Sequence, residues 1–149
     1  MQETTNYMKM TIAGFSKNES LARICVSAFA AQLDPTIEEI NDIKAAVSEA
    51  VTNCIVHAYP DKIGDIDIKL KILGDDTLYI KISDKGCGIA DIKQAMQPLY
   101  TSSPEGERAG LGFAVMENFT DRLKVTSKVG KGTSVTMIKR LKQRYGSTH

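Results

Sequence analysis

The stretch I-D-I-K-L-K-I-L-G-D-D-T-L-Y-I-K-I-S-D, residues 66–84, decides the class of fold. Ile66, Ile68, Leu70 and Ile72 alternate with polar residues, L-G-D-D-T interrupts, and Leu78, Ile80 and Ile82 resume the alternation. Successive side chains of a strand point to opposite faces, so each run makes one apolar and one polar face. Two such runs joined by turn residues predict a β-hairpin, and a hairpin is antiparallel.

The same reasoning extends outward in both directions. Met8, Met10 and Ile12 predict a first strand ending near Gly14. Ser16 and Glu19 have the spacing of a capping box, and Leu21, Ile24, Cys25, Ala28, Phe29 and Leu33 recur at the helical period. Asp34-Pro35 closes that helix and opens a longer one. Its apolar face reads Ile37, Ile40, Ile43, Val47, Ala50, Val51, Cys54 and Ile55, running to about Ala58.

Beyond the hairpin, a short helix is predicted around Asp91 to Gln97, followed by P-L-Y-T-S-S-P-E-G-E-R-A-G, which has no periodicity. A loop of that length in a compact domain is the usual form of a functional lid, here about residues 98–109. Leu111 to Phe119 predicts a helix, and L-K-V-T-S-K-V, G-K-G and T-S-V-T-M-I-K predict a closing hairpin. Strands that come as hairpins and helices that come grouped give an α+β fold, a two-layer sandwich rather than a doubly wound parallel sheet.

Composition bounds the function. At 149 residues, 42% hydrophobic and 25% charged, the expectation is a single domain over 1–149 with a real core. A formal net charge of +1 gives no reason to expect direct nucleic-acid or membrane-surface binding. Cys25, Cys54 and Cys87 are odd in number and lack C-x-x-C spacing, so neither a disulfide framework nor a zinc site is suggested, and small buried apolar residues are expected. No apolar run reaches the ~20 residues of a membrane span, and M-Q-E-T-T-N lacks the plan of a signal peptide. A cytoplasmic protein is expected.

Four features carry chemistry. In E-A-V-T-N-C-I-V-H-A-Y, residues 49–59, Glu49, Asn53 and His57 recur every four residues on an otherwise apolar helix. They form one stripe that must face something polar, although an exposed Glu and a solvent-facing Asn are ordinary, and His57 fits a structural hydrogen bond better than catalysis. In D-K-G-C-G-I, Gly86 and Gly88 let the backbone turn tightly and approach a flat ligand. Asp84 beside them can accept a hydrogen bond from an exocyclic amine such as that of adenine; a plain turn is the alternative. Gly110-Leu111-Gly112 stands before a helix, where free N–H groups favour phosphate, the alternative being a helix start that happens to hold glycines. Gly132-Thr133, taken alone, reads as a turn.

Together, in this order, these motifs resemble the GHKL ATPase superfamily. N-E-S-L-A-R, Q-L-D-P-T, S-E-A-V-T-N-C-I-V-H-A-Y, Q-P-L-Y-T-S and G-L-G-F-A-V-M-E-N-F narrow the resemblance to the anti-sigma serine kinases of sporulating bacteria, over about Met8 to Arg140. The resemblance implies the GHKL (Bergerat) fold with a mixed, mostly antiparallel sheet, and ATP or ADP bound with Mg²⁺ under a mobile lid. It implies that Asp84 holds the adenine amino group, that Thr133 assists around the base, and that Gly86 and Gly88 shape the pocket. Gly110, Leu111 and Gly112 would meet the phosphates, Asn53 would ligate Mg²⁺, and Glu49 would act as base. Metal ligand and base would share a helix face because the attacking oxygen lies close to the metal-bound γ-phosphate. Arg108 is the candidate to reach that phosphate, with a solvated loop arginine as the alternative.

Histidine-kinase domains usually carry Asn where this chain has Glu49, and their phosphoacceptor lies on a separate helical segment, so the resemblance favours a protein-serine kinase. It further implies a sigma factor, sigma F, held by a homodimer, and an anti-anti-sigma protein as phosphorylation substrate. Arg23 and Glu19 match a family contact for partners, with solvated helix charges as the alternative. A stress-response regulator of the anti-sigma B type, or a nucleotide-gated binding module without kinase activity, remain the competing readings. Cys87 and Ala109 stand where relatives often have Val and Ser.

Overall fold

The computed structural model describes residues 2–96 and 112–141. Its elements, in order, are β1 (Thr4–Ala13), α1 (Asn18–Ala30), a 3₁₀ turn (Ala31–Leu33), α2 (Ile37–Asn53), a π-helical turn (Cys54–Ala58), β2 (Asp65–Leu73), β3 (Thr77–Asp84), α3 (Ile92–Ala95), α4 (Phe113–Phe119), β4 (Arg122–Lys128) and β5 (Gly132–Arg140). The strands form a five-stranded sheet in the order β1-β2-β3-β5-β4. Every ladder is antiparallel, so the parallel pairing that a mixed sheet would carry is not found among the described residues.

Both hairpins form as their alternation predicts. Ile66, Ile68, Leu70 and Ile72 of β2, Leu78, Ile80 and Ile82 of β3, and Val135 and Met137 of β5 are buried on one face. The helices cover that face: Ile43, Ala46, Val47, Ala50 and Val51 of α2 join Ala22, Val26 and Phe29 of α1 and Phe113 and Met116 of α4 in one core. The two-layer α+β sandwich is thus the observed architecture. No helix among the described residues is long and apolar enough to cross a membrane.

The helices depart from expectation in three ways. The capping box belongs to α2, where the Thr36 hydroxyl accepts from the Glu39 N–H at 3.0 Å and the Glu39 carboxylate accepts from the Thr36 N–H at 2.9 Å. Ser16 makes no such cap; α1 starts later, at Asn18, whose side-chain amide donates to the Ala13 carbonyl at 2.8 Å. Helix α1 carries two apolar stripes, and the buried one is Ala22, Val26, Phe29 and Ala30, while Leu21 and Ile24 are 45% and 63% exposed. Phe29 is common to both stripes; Ala22 and Ala30 let their side of α1 approach its neighbours closely, a preference that periodicity alone does not register. At its far end α2 widens into a π turn, a form concentrated at functional sites.

Candidate functional site

The C-terminal end of α2, the end of β3, the start of α4 and the start of β5 converge on a cavity of about 230 Å³. Asn53, His57, Asp84, Gly88 and Thr133 line it together with the apolar side chains of Ile82, Ile89, Phe113 and Val135. Apolar walls with a few converging polar groups are the usual character of a small-molecule site.

Asp84 ends β3 with one carboxylate oxygen accepting the N–H of Gly86 at 2.9 Å and that of Thr133 at 3.2 Å. Burial pushes this carboxyl above its ordinary range, opposed by the Gly86 N–H, the Cys54 thiol and the Thr133 N–H. Cys54, in turn, is pushed well up, first by burial and then by the adjacent Asp84 charge. A carboxylate has about four lone-pair sites, so with these three donors in place there is capacity for one more.

The loop after Asp84 is held from both sides. The Cys87 N–H donates to the Ala58 carbonyl at 3.0 Å and the Gly130 N–H donates to the Cys87 carbonyl at 2.8 Å. Gly88 has φ of +78°, and a β-carbon there would lie 2.3 Å from the Lys128 carbonyl oxygen, so only glycine fits. Gly86 packs as closely against the Ala58 carbonyl. The Tyr59 hydroxyl donates to the Asp65 carbonyl at 2.8 Å and accepts the Lys85 N–H at 2.7 Å, tying the π turn to β2 and to this loop.

Glu49 is half-buried one helical turn before Asn53, outside the cavity lining, with its carboxylate packed against Gly112. Gly112 caps α4 in the left-handed region at φ +69°. Asn53 and His57 both line the cavity, the π turn setting the spacing between them. Arg108, Gly110 and Leu111, like the expected lid, lie outside the described residues. Glu19 and Arg23 sit elsewhere, on α1, paired at 3.4 Å, with the Arg23 guanidinium also 3.4 Å from the Ser48 hydroxyl.

Sequence reasoning missed the apolar walls, because Ile82, Phe113 and Val135 are indistinguishable in pattern from core residues. It also missed Cys54 as a donor to Asp84. Cys87 corrects the expectation of three buried cysteines: Cys54 is buried, Cys25 is half-buried, and Cys87 is exposed at the cavity with its thiol 3.2 Å from the His57 carbonyl. Among the described residues no group of three His, Cys, Asp or Glu is disposed to hold a metal.

The fold and this site define a protein of the histidine kinase-like ATPase class, and residues 16–139 match the family model described as "Histidine kinase-like ATPase domain". Curated relatives narrow that class, and the chain belongs to the anti-sigma F factor family. It is 59% identical to the anti-sigma F factor of Thermoanaerobacter sp. (strain X514) over 137 residues, 92% of this chain and 95% of that one. It is 52% identical to the anti-sigma F factor of Pasteuria penetrans over 91% of each. Among solved structures, the RsbU and RsbW domains of Rv1364c from Mycobacterium tuberculosis superpose with a TM-score of 0.69 at 20% identity, over 94% of this chain and 34% of that longer one. The mycobacterial sensor histidine kinase MprB gives 0.57 at 14% identity, over 92% and 100%. Both structural likenesses concern the fold.

Proposed function

We propose that the protein binds and inhibits sigma F and, as an ATP-dependent protein-serine kinase, phosphorylates an anti-anti-sigma protein. The observation that carries the kinase half is the grouping of Asp84 and Asn53 on one cavity with Glu49 one helical turn away against Gly112. Asp84 has room for one more donor, which the adenine amino group supplies, while Ile82, Phe113 and Val135 offer apolar surface to the base. Gly86 and Gly88 hold the loop shape and Thr133 flanks the base. Roles for Arg108, Gly110 and Leu111 at the phosphates rest on the sequence motif.

The neutral carboxamide of Asn53 would be the protein's one oxygen ligand to Mg²⁺ delivered with the triphosphate, which fits an ion that ordinarily keeps phosphate and water ligands. Bound there, Mg²⁺ would neutralise phosphate charge during transfer. Glu49 accepts the proton of the substrate serine hydroxyl as its oxygen forms a bond to the γ-phosphorus and the bond to the ADP oxygen breaks. The sigma-binding half is supported by the names of the relatives and by the α1 surface, where Arg23 and Glu19 lie beside exposed Leu21 and Ile24. We assign that surface to partners, assembly to a homodimer, and the site of action to the cytoplasm.

The test is transfer of labelled γ-phosphate to a purified anti-anti-sigma protein, with sigma F binding followed by gel filtration. Glu49→Gln is expected to lower transfer by about 10²–10⁴-fold, the usual contribution of a general base, while leaving ATP affinity unchanged. Unchanged transfer removes the base assignment. Sigma F binding without any transfer by the wild-type chain establishes a nucleotide-gated binding module in its place.

A further inference from the structure

Helices cover only one of the two faces of the sheet. The opposite face is a grid fixed by the strand register, and in the three rows across its middle no side chain is buried. One row across the strands reads Lys9, Lys69, Lys81, Thr136 and Lys124. The neighbouring row reads Tyr7, Lys71, Tyr79, Ile138 and Arg122. The third, toward the nucleotide end, reads Thr11, Asp67, Ser83, Ser134 and Thr126.

This face therefore gathers Lys9, Lys69, Lys71, Lys81, Lys124 and Arg122 across its middle, with two acids, Asp65 and Asp67, toward the nucleotide end, in a chain whose net charge is only +1. Among the described residues none of these cations takes part in an ion pair; the bridges formed are Arg23–Glu19, Lys139–Asp42 and Arg140–Asp76. Lys9, Lys69 and Lys81 are direct cross-strand partners, and like charges so placed destabilise a sheet. The ammonium of Lys69 is held below its ordinary range, chiefly by Lys9 and further by burial, Lys71 and Lys81. A face kept basic at a cost to the fold suits a partner that relieves the repulsion.

We propose that this open sheet face docks an acidic segment of a partner protein, a run of Asp and Glu side chains lying across the strands. Charge complementarity selects the occupant. A second copy would bring the same cations against each other across a two-fold axis. Single-stranded nucleic acid needs free aromatic platforms, but the Tyr79 ring already carries the Lys71 ammonium 4.9 Å from its centroid, and Tyr7 lies on the edge strand. With strands about 4.8 Å apart, the lysine row spans roughly 19 Å, the length of about six extended residues. The face is separate from the α1 surface and from the nucleotide cavity, so its occupation does not depend on the function proposed above.

The experiment uses the full chain and a fluorescent glutamate peptide of about twelve residues, long enough to cross the sheet, followed by anisotropy at low and physiological salt. Lys69→Gln/Lys81→Gln is expected to weaken peptide binding by about tenfold. The control Lys17→Gln/Lys44→Gln, at the start of α1 and on α2 in the helical layer, should leave binding unchanged, and both variants should keep wild-type ATP affinity. Amide shifts induced by the peptide should centre on Lys9, Lys69, Lys81 and Lys124. Removing repulsion should also keep or raise the melting temperature of the double variant, and Lys69→Gln alone serves should the pair fail to fold. Equal loss in the control pair overturns the proposal. Tighter binding of an oligothymidylate or of phosphatidylglycerol vesicles at the same salt also overturns it, as does a self-association that the double variant abolishes.

Discussion

The carboxylate of Glu49 fills the space that a β-carbon on Gly112 would need. Helix α2 and the start of α4 are therefore fitted to each other at the position proposed for proton transfer, and the left-handed backbone of Gly112, φ +69°, permits the fit.

Gly112→Ala should disturb both properties at once. The left-handed conformation alone costs a non-glycine residue about 1–2 kcal/mol, and the added methyl displaces the Glu49 carboxylate. Denaturant unfolding should show that loss, and phosphoryl transfer should fall more steeply than ATP affinity in the same preparation. Equal losses in transfer and affinity would argue that Glu49 contributes only to packing.

Asp84→Asn should weaken adenine-nucleotide binding by about 1.5–3 kcal/mol, the range for a hydrogen bond to a charged group. Calorimetry with ATP and with an inosine nucleotide, which lacks the amino group, checks the mechanism. The variant should lose its preference for ATP rather than lose all binding.

The pH dependence follows from the same carboxyl, which burial holds above its ordinary range. Above the raised value Asp84 is an acceptor and binds the amine; as pH falls through that value it protonates and affinity is lost. ATP affinity should therefore decline with acidification at a pH above the ordinary carboxylate midpoint, and Asp84→Asn should flatten the decline.

Asp76 behaves in the opposite sense. This nearly buried carboxylate accepts from the Thr77 hydroxyl at 2.7 Å, the Gln2 amide at 3.0 Å and the Arg140 guanidinium at 2.8 Å. The Thr77 hydroxyl contributes most to holding its carboxyl below the ordinary range, against the opposing effect of burial. Its stabilisation is thus fully present above the ordinary carboxyl value of about 3.9 and is lost as pH falls through the lower folded value. Asp76→Ala should cost about 2–3 kcal/mol at neutral pH by urea unfolding, with the difference from wild type shrinking in acid.

Tyr59→Phe deletes a hydroxyl that bridges the Asp65 carbonyl and the Lys85 N–H from a side chain only 5% exposed. Leaving those groups unsatisfied should cost about 1–3 kcal/mol, and the loosened loop beside Asp84 should bind ATP more weakly.

Much of this architecture is legible in the sequence because strict alternation has one solution: once Ile66 and Leu78 point inward, the register of the central hairpin follows. Of the residues lining the cavity, Asn53 stands out in the sequence as a polar residue on an apolar helix and Asp84 as a carboxylate beside paired glycines after a strand, whereas Thr133, taken alone, reads as a turn and is singled out only by the family resemblance. The choice between stripes on α1 was not, because Leu21 and Ile24 are as apolar as Val26, and only the fit of Ala22 and Ala30 against neighbouring elements decides it. The π turn was equally hidden: a change of hydrogen-bond partner by one residue leaves no mark on C-I-V-H-A. The cavity walls escape for a related reason, as a base-facing isoleucine and a core isoleucine have the same neighbours in sequence.

That π turn has an evolutionary consequence. Helix ends ordinarily tolerate a gained or lost residue, but here the five residues Cys54–Ala58 hold Asn53 at the cavity and the Tyr59 ring over Gly64 at the same time. Deleting one would swing everything after it by about 100° around the helix axis. Chain length between those two anchors is thus fixed, and diversification in this segment is confined to exchanging side chains.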